Sequence, residues 1–222
     1  MTSWPTVWRR SPVFDNVLPP ESLGLLRDLN GELELHGFYL AGGTGLALQL
    51  GHRVSEDLDF FSAAEFDPAL LARHLEDRPG YSETLVSKGT LYCRIAGVKL
   101  SFLHYPVPLR LPTMEYLSVK VADWRDILAE KFKTVSQRGR RRDFYDIYAC
   151  LTLKKLTIAD AVAILKDRFA GTGINYPHVA KSLIWFADAE AEPEPRLLMT
   201  ADWSTVKRFF DASAAEFARH LS

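Results

Sequence analysis

Apolar residues in the stretch LPPESLGLLRDLNGELELHG (18–37) recur at three- and four-residue intervals, the period of one helical face, and Pro20 and Glu21 suit a first helical turn. The next residues, FYLAGG, predict a short buried strand that delivers the chain into a glycine turn. TGLALQL then predicts a short helix, which Gly51 is placed to stop. In RVSEDLDFFS the apolar and polar residues alternate as in a strand, and DPALLARHLEDR predicts a helix with Asp67 as N-cap and Pro68 at its first position. Two further strands are predicted in SETLVSKGTLYCRIAG and VKLSFLHY, meeting at the Ala96–Gly97 turn. From about Val119 the period turns helical, in ADWRDILAEKFKTVSQ, RDFYDIYACLTL, TIADAVAILKDRFA and HVAKSLIWFADA. AEAEPEPR predicts a solvated linker before a last helix, TVKRFFDASAAEFARHL. The pattern divides the chain into a mixed core, residues 1–118, and a helical region, 119–222, packed on it.

Composition narrows the class without naming a chemistry. With 222 residues, 47% of them hydrophobic and 25% charged, the chain can bury a full core and needs neither disulfides nor a repeat. Its formal net charge of -1 gives no global attraction for nucleic acid, so such binding must come from a local patch. The two cysteines, Cys93 and Cys150, sit beside apolar residues and read as buried thiols in a reducing compartment, which the cytoplasm supplies. MTSWPTVWRR lacks the apolar run of an export signal, and no stretch approaches the length of a membrane span, so no membrane partner is expected.

The chemistry concentrates in YLAGGTGLALQLGHRVSEDLDFF, residues 39–61. On a strand Ser55, Asp57 and Asp59 share one face while Leu58 and Phe60 take the other, with the two carboxylates roughly 6–7 Å apart. Taken alone, such a pair is often a solvated edge. Like charges at that spacing also suit a divalent cation between them, and Mg²⁺ takes one or two carboxylates together with substrate phosphates. The preceding AGGTG supplies the complement: a glycine turn that opens a helix offers free N–H groups and the positive end of the helix dipole to an anion. His52 and Arg53 could add charge or a hydrogen bond to a triphosphate. Strand, glycine pair, short helix and paired aspartates within so few residues favour a metal-nucleotide site over coincidence.

A second constellation lies in ADWRDILAEKFKTVSQRGRRRDFYDIYACL. Trp124, Ile127, Leu128, Phe132 and Val135 share a helical face, and Lys131 falls on it. A lysine there either snorkels out to water or meets an anion. Lys133 lies on the solvent side. Arg138, Arg140, Arg141 and Arg142 crowd a glycine-containing turn, which is either a solvated basic loop or a phosphate-binding edge. Asp143 serves as a helix cap and Asp146 as a first-turn dipole partner, or both hold Lys131 or an arginine in place.

GGTGLALQLGHRVSEDLDFF resembles motif I of the AbiEii/AbiGii toxin family, within the nucleotidyltransferase superfamily that shares the DNA polymerase beta catalytic fold. ILAEKFKTVSQRGRRRDFYDIYACL is similar, more loosely, to that family's second signature, a helix lysine followed by an arginine-rich turn and an R-D-x-x-D helix. The two signatures span about residues 37–153, and nothing specific is recognised in the last stretch of the chain. The resemblance implies an α/β (α+β) fold: a polymerase-beta-like mixed sheet with flanking helices, and a C-terminal helical region that completes the active site. It implies Asp57 and Asp59 as catalytic metal ligands for Mg²⁺ or Mn²⁺, with Gly42, Gly43, Thr44, Arg53, Ser55 and Lys131 binding a nucleoside triphosphate. Lys131, Asp143 and Asp146 are implied to act at the catalytic centre, and Arg138, Arg140, Arg141 and Arg142 to contact RNA. Superfamily members usually carry a third carboxylate on a neighbouring strand, and here Ser101 stands in its expected place.

The implied activity is metal-dependent transfer of a nucleoside monophosphate from an NTP to an acceptor hydroxyl, RNA and in particular a tRNA 3′ end. The implied context is the toxin of a type IV toxin-antitoxin or abortive-infection system, with an antitoxin protein as partner. Two other readings keep different parts of this evidence: a catalytically silent binding module, which Ser101 favours, and transfer to a small molecule of the antibiotic kind.

Overall fold

The computed structural model describes residues 13–222 apart from Asn30, Glu32 and residues 34–36. The N-terminal stretch examined for an export signal, and part of the first predicted helix, therefore lie outside the described residues. A seven-stranded mixed sheet runs in the order β3-β4-β5-β2-β1-β7-β6. Its strands are β1 (Tyr39–Leu40), β2 (Leu58–Ser62), β3 (Ser82–Ser87), β4 (Thr90–Ile95), β5 (Val98–His104), β6 (Met114–Tyr116) and β7 (Val119–Val121). Parallel pairing joins β2 to β5 and β1 to β7, and the other neighbours are antiparallel.

The first helices form largely where periodicity and caps place them. Helix α1 (Pro20–Asp28) starts with proline in its first turn, and α2 (Gly42–Leu50) ends at Gly51, whose φ of 67° is the left-handed stop a glycine accepts without strain. Helix α3 (Pro68–Leu75) opens at Asp67, whose carboxylate accepts hydrogen bonds from the backbone N–H groups of Ala69 and Leu70. Among the described residues, no helix is long and apolar enough to cross a membrane.

Three details differ from the sequence pattern. SETLVSKGTLYCRIAG holds two strands, β3 and β4, because Lys88 and Gly89 turn the chain between them. The strand expected over RVSEDLDFFS starts only at Leu58; Arg53 instead makes an isolated antiparallel bridge to Leu197, and the backbone of Ser55 is claimed by the Val17 carbonyl. The hairpin β6–β7 was not foreseen, and it carries the sheet past the boundary expected at residue 118, with Val119 and Val121 both buried in strand β7. Strands of three residues are too short for alternation to register.

Two apolar clusters lie on either side of the sheet. Phe60, Phe102, Leu58, Leu100, Leu91 and Cys93 pack with Leu26 of α1 and Leu71 and Leu75 of α3. The larger cluster is built by α4 (Trp124–Arg138), α5 (Arg141–Leu153), α6 (Ile158–Arg168), α7 (Tyr176–Ser182), α8 (Ala187–Glu190) and α9 (Trp203–Leu221), together with Leu46 and Leu50 of α2. Helix α2 thus belongs to both: Ala47 and Leu48 face the sheet-side cluster. Gln49, buried, fixes its register by donating to the carbonyls of Gly45 and Ala122 and accepting from the backbone N–H of Trp124. One amide side chain therefore joins the glycine helix to the start of α4. Both cysteines are free and buried.

Candidate active site

The paired aspartates reach their positions through backbone ties made by the first turn of α2. Thr44 donates its hydroxyl to the Asp57 carbonyl, and Ser55 Oγ lies 2.8 Å from that hydroxyl. The Ala41 N–H donates to the Asp59 carbonyl at 2.9 Å. Leu58 and Phe60 are fully buried, while Asp57 and Asp59 line a cavity of about 1140 Å³ on the other side of the strand. The shared face expected of a continuous strand is thus reached with Asp57 just ahead of β2.

Gly42, at φ 60°, lies directly against one of these carboxylates: a Cβ there would stand 2.6 Å from Asp59 Oδ2. Gly43 similarly leaves room for the Arg53 guanidinium and for Ser55 Oγ. Both glycines lie inside the helix, not in a turn before it, and the N-cap Ala41 makes no side-chain hydrogen bond. The first-turn N–H groups are therefore uncapped beside the aspartates, an arrangement suited to an anion. No cluster of three or more His, Cys, Asp or Glu able to hold a metal occurs among the described residues. Two carboxylates beside a phosphate-accepting helix end nonetheless fit Mg²⁺, which completes its shell with substrate phosphate and water.

Behind this wall lies a buried ionic network. Arg53 grips Asp146 with two hydrogen bonds, Nε to Oδ1 at 2.7 Å and Nη2 to Oδ2 at 3.0 Å. Lys131 Nζ lies 2.7 Å from Asp143 Oδ1 and 2.6 Å from Asp146 Oδ2, and His52 Nε2 lies 2.7 Å from Asp146 Oδ1. Burial alone would push the Asp146 carboxyl up, but Arg53, Lys131 and the His52 hydrogen bond hold it well below the ordinary carboxylate range. Burial pulls His52 down, so its imidazole is neutral and donates from Nε2, while Nδ1 is a buried nitrogen with no hydrogen-bond partner among the described residues. For Lys131, burial opposes the charge, yet Asp143 and Asp146 outweigh it and keep the ammonium form.

This network revises several expected roles. Asp143 is not the helix cap: Arg140 is the N-cap of α5, and Asp143 falls in its first turn facing Lys131. Asp143 and Asp146 are fully buried and do not line the cavity; they meet it only through Lys131 and Arg53, which do. Lys131, 7% exposed, keeps its charge at the cavity edge but is already held between two carboxylates. His52 is turned away from the cavity, into Asp146.

The arginine turn is also largely engaged. Arg141 donates to the carbonyls of Ala189 and Glu190, pairs with Glu194 at 3.1 Å and packs over the Trp203 ring. Arg140 pairs with Glu192 at 3.4 Å, and Arg142 with Asp57 at 3.5 Å. Arg138 stays exposed at the cavity rim. The partners of Arg140 and Arg141 come from the stretch expected to be a solvated linker. Residues 192–196 line the cavity, the Arg196 carbonyl accepts from the Val54 N–H, and Leu198 N–H donates to the His52 carbonyl. Composition could not show this, because glutamates and prolines serve equally in a loose linker and in a strap paired with arginine.

At its other end the cavity holds a group that sequence reasoning missed. Tyr105 donates to Glu130 at 2.9 Å, Arg168 pairs with Glu130 at 3.0 Å, and Lys133 donates to the Tyr105 hydroxyl at 2.8 Å. Lys133, expected in solvent, lies over the Tyr105 ring. Burial raises the Glu130 carboxyl above its usual range, partly offset by Arg168. Ser101 stands opposite Asp59 in the β2–β5 register and lines the cavity, whereas the neighbours Leu100 and Phe102 are buried on the other face.

Comparison with known proteins agrees with this architecture. The family model described as nucleotidyl transferase AbiEii toxin, type IV toxin-antitoxin system, matches residues 24–219, well beyond the two signatures and into the C-terminal helices. An uncharacterized protein of Aquifex aeolicus (strain VF5) is 31% identical over 201 residues, covering 88% of this chain and 91% of its own. Among solved structures, JHP933 from Helicobacter pylori shares the fold with a TM-score of 0.54 at 18% identity, over 92% of this chain and 94% of that one. MenT4, a nucleotidyltransferase toxin from Mycobacterium tuberculosis H37Rv, does so with a TM-score of 0.52 at 18% identity, over 89% and 85%. With a match that spans both the sheet and the helical region, the chain belongs to the AbiEii nucleotidyltransferase toxin family of type IV toxin-antitoxin systems.

Proposed function

We propose that the protein transfers a nucleoside monophosphate from an NTP to the 3′ hydroxyl of an RNA, with tRNA as the first acceptor to test, acting as a toxin in the cytoplasm and restrained by an antitoxin partner. The observation that carries this reading is the placement of Asp57 and Asp59 in one cavity wall beside the uncapped N-terminus of α2. A divalent cation, Mg²⁺ or Mn²⁺, held by these two carboxylates would neutralise triphosphate charge and lower the pKa of the acceptor hydroxyl. The backbone N–H groups of Gly42 and Gly43 receive the triphosphate, and Thr44 and Ser55 hold the 55–57 segment against that turn. Arg53 and Lys131 supply fixed positive charge, kept in place by Asp146 and Asp143. In the transfer, the acceptor oxygen bonds to the α-phosphorus, the bond to the α–β bridging oxygen breaks, pyrophosphate leaves, and the acceptor proton passes to solvent.

Incubation with Mg²⁺, each α-labelled ribonucleotide and total tRNA tests this, with Asp59→Ala as the control. Label on RNA that disappears in Asp59→Ala is expected. Absence of label with the wild type, while nucleotide still stabilises it against heat, would refute transfer to RNA. Ser101, in the place of a third carboxylate, favours a second reading, a catalytically silent binding module; transfer to a small molecule keeps the chemistry and changes only the acceptor. Label on a small hydroxylated acceptor, and none on RNA, would support the small-molecule form.

A further inference from the structure

Among the described residues, one face of the outer sheet is left uncovered beside the Asp57–Asp59 pair. Helix α3 closes the opposite face of β3–β5, where Leu91, Cys93 and Leu100 are buried against it. On the open face the pairing register aligns a single row across four strands: Asp59 on β2, Ser101 on β5, Tyr92 on β4 and Leu85 on β3. Strands lie about 4.8 Å apart, so Tyr92 stands about 10 Å from Asp59, within the reach of one nucleotide. Tyr92 and Ser101 line the cavity, and Leu85 is 44% exposed at the far end of the row.

The adjacent row is cationic. Arg94 pairs with Lys99 in the β4–β5 register, and both are exposed. Glu83 pairs with Cys93 in the β3–β4 register, across a bulge from Leu85, and is an exposed carboxylate at the outer edge of this region. The surface running outward from Asp59 therefore carries a neutral hydroxyl, an aromatic ring, an apolar edge and two basic side chains. A carboxylate at position 101 would repel a phosphodiester laid along this path; the serine hydroxyl can instead hydrogen-bond to it. The arginine turn, meanwhile, has given three of its four guanidinium groups to Glu192, Glu194 and Asp57.

We propose that the single-stranded 3′ end of an RNA acceptor lies across the open face of β3–β5, with its terminal base stacked on Tyr92 beside Leu85. Lys99 and Arg94 contact its last phosphates, and the 3′ hydroxyl passes Ser101 to reach the Asp57–Asp59 pair. The direction of the strand rests on the transferase reading above; the surface itself rests on register, exposure and charge. An aromatic platform with flanking cations binds single strands without needing a particular base, because every base offers a stacking face.

The test measures binding of a short fluorescent oligoribonucleotide with a free 3′ hydroxyl, without NTP, and separately measures transfer of α-labelled nucleotide to the same oligonucleotide. Tyr92→Ala is expected to weaken binding about tenfold or more, with Tyr92→Phe restoring it. Lys99→Gln with Arg94→Gln is expected to reduce the slope of log affinity against log salt by about 1.4. Stabilisation of each variant by Mg²⁺ and ATP is expected to equal that of the wild type, which also shows that each variant folds. Binding unchanged in both the tyrosine and the double variants, or lost only in Arg140→Gln, would overturn the assignment. Label transferred equally by wild type and platform variants overturns the platform and leaves the transferase reading standing. Tyr92-dependent binding without any label does the reverse.

Discussion

Gly42→Ala isolates the contact on which the geometry of the proposed catalytic pair depends. The added methyl would lie 2.6 Å from Asp59 Oδ2, 3.1 Å from its Cβ and 3.3 Å from its Cγ, so rotating the carboxylate cannot relieve the clash. Asp59 is held from behind by the ladder between β2 and β5, and its own carbonyl accepts from Ala41. The side chain must therefore shift on the order of 1 Å, and a displacement of that size costs about 10²-fold in rate. The backbone conformation, φ 60°, adds about 1–2 kcal/mol for any residue with a Cβ, which lowers the melting temperature by about 2 to 8 °C in a domain of this size. Gly171→Ala is the matched control: its φ is 77°, yet nothing among the described residues lies within 4 Å of the added methyl. Both variants should lose similar stability, but only Gly42→Ala should lose transfer of labelled nucleotide. Equal activity in the two, with similar melting temperatures, would refute the claim that the glycine exists to admit Asp59.

Three further outcomes follow from the site. Asp146→Asn should cost about 3–5 kcal/mol near neutral pH, because it leaves Arg53 and Lys131 buried with less counter-charge. The Asp146 carboxyl is held below its unfolded value of about 3.9, so its contribution is complete above that pH and is lost as pH falls through the folded value. Denaturant titrations should show the gap between wild type and variant narrowing below about pH 4, and a constant gap down to acid unfolding would refute the assignment. Arg141→Ala removes the contacts to Glu194, to two carbonyls and to the Trp203 ring, so limited proteolysis should open the 191–198 strap first, and cleavage elsewhere at unchanged strap protection would count against its pinning. Ser101→Asp sets a third carboxylate beside Asp59, so Mg²⁺ should raise its melting temperature more than that of the wild type; identical shifts would place Ser101 outside the metal's reach.

The local signals were those whose physics lies within a few residues. Asp67 with Pro68, and Gly51, mark helix ends through hydrogen bonds and φ preferences that depend on neighbours in sequence, and the structure carries both of them. The alternation around Asp57 and Asp59 and the nearby glycine pair likewise mark the metal-nucleotide candidate from spacing alone, although the glycines form the first turn of α2 and do not precede it. The sequence also marked Lys131 as a charge on an apolar face, and thus as a residue in need of a partner. It could not say which partner, because Asp143 and Asp146 compete for that role with capping and solvent, and only the crossing of α4 and α5 brings them within 2.7 Å.

Everything that depended on long-range closure was decided by the tertiary structure. His52 looks like a cavity residue in sequence and becomes a buried partner of Asp146, because Leu198 and Arg196 hold its segment from the other side. The acidic strap becomes part of the wall only when the arginine turn neutralises it. The hairpin β6–β7 forms because β1 needs a parallel neighbour, not because three residues alternate. Sequence alone determined which residues have chemistry to offer, since that resides in side-chain type and short-range spacing. Folding decided which of those charges face the cavity and which cancel one another behind it, since burial makes an unpaired charge too costly to leave where the chain first puts it.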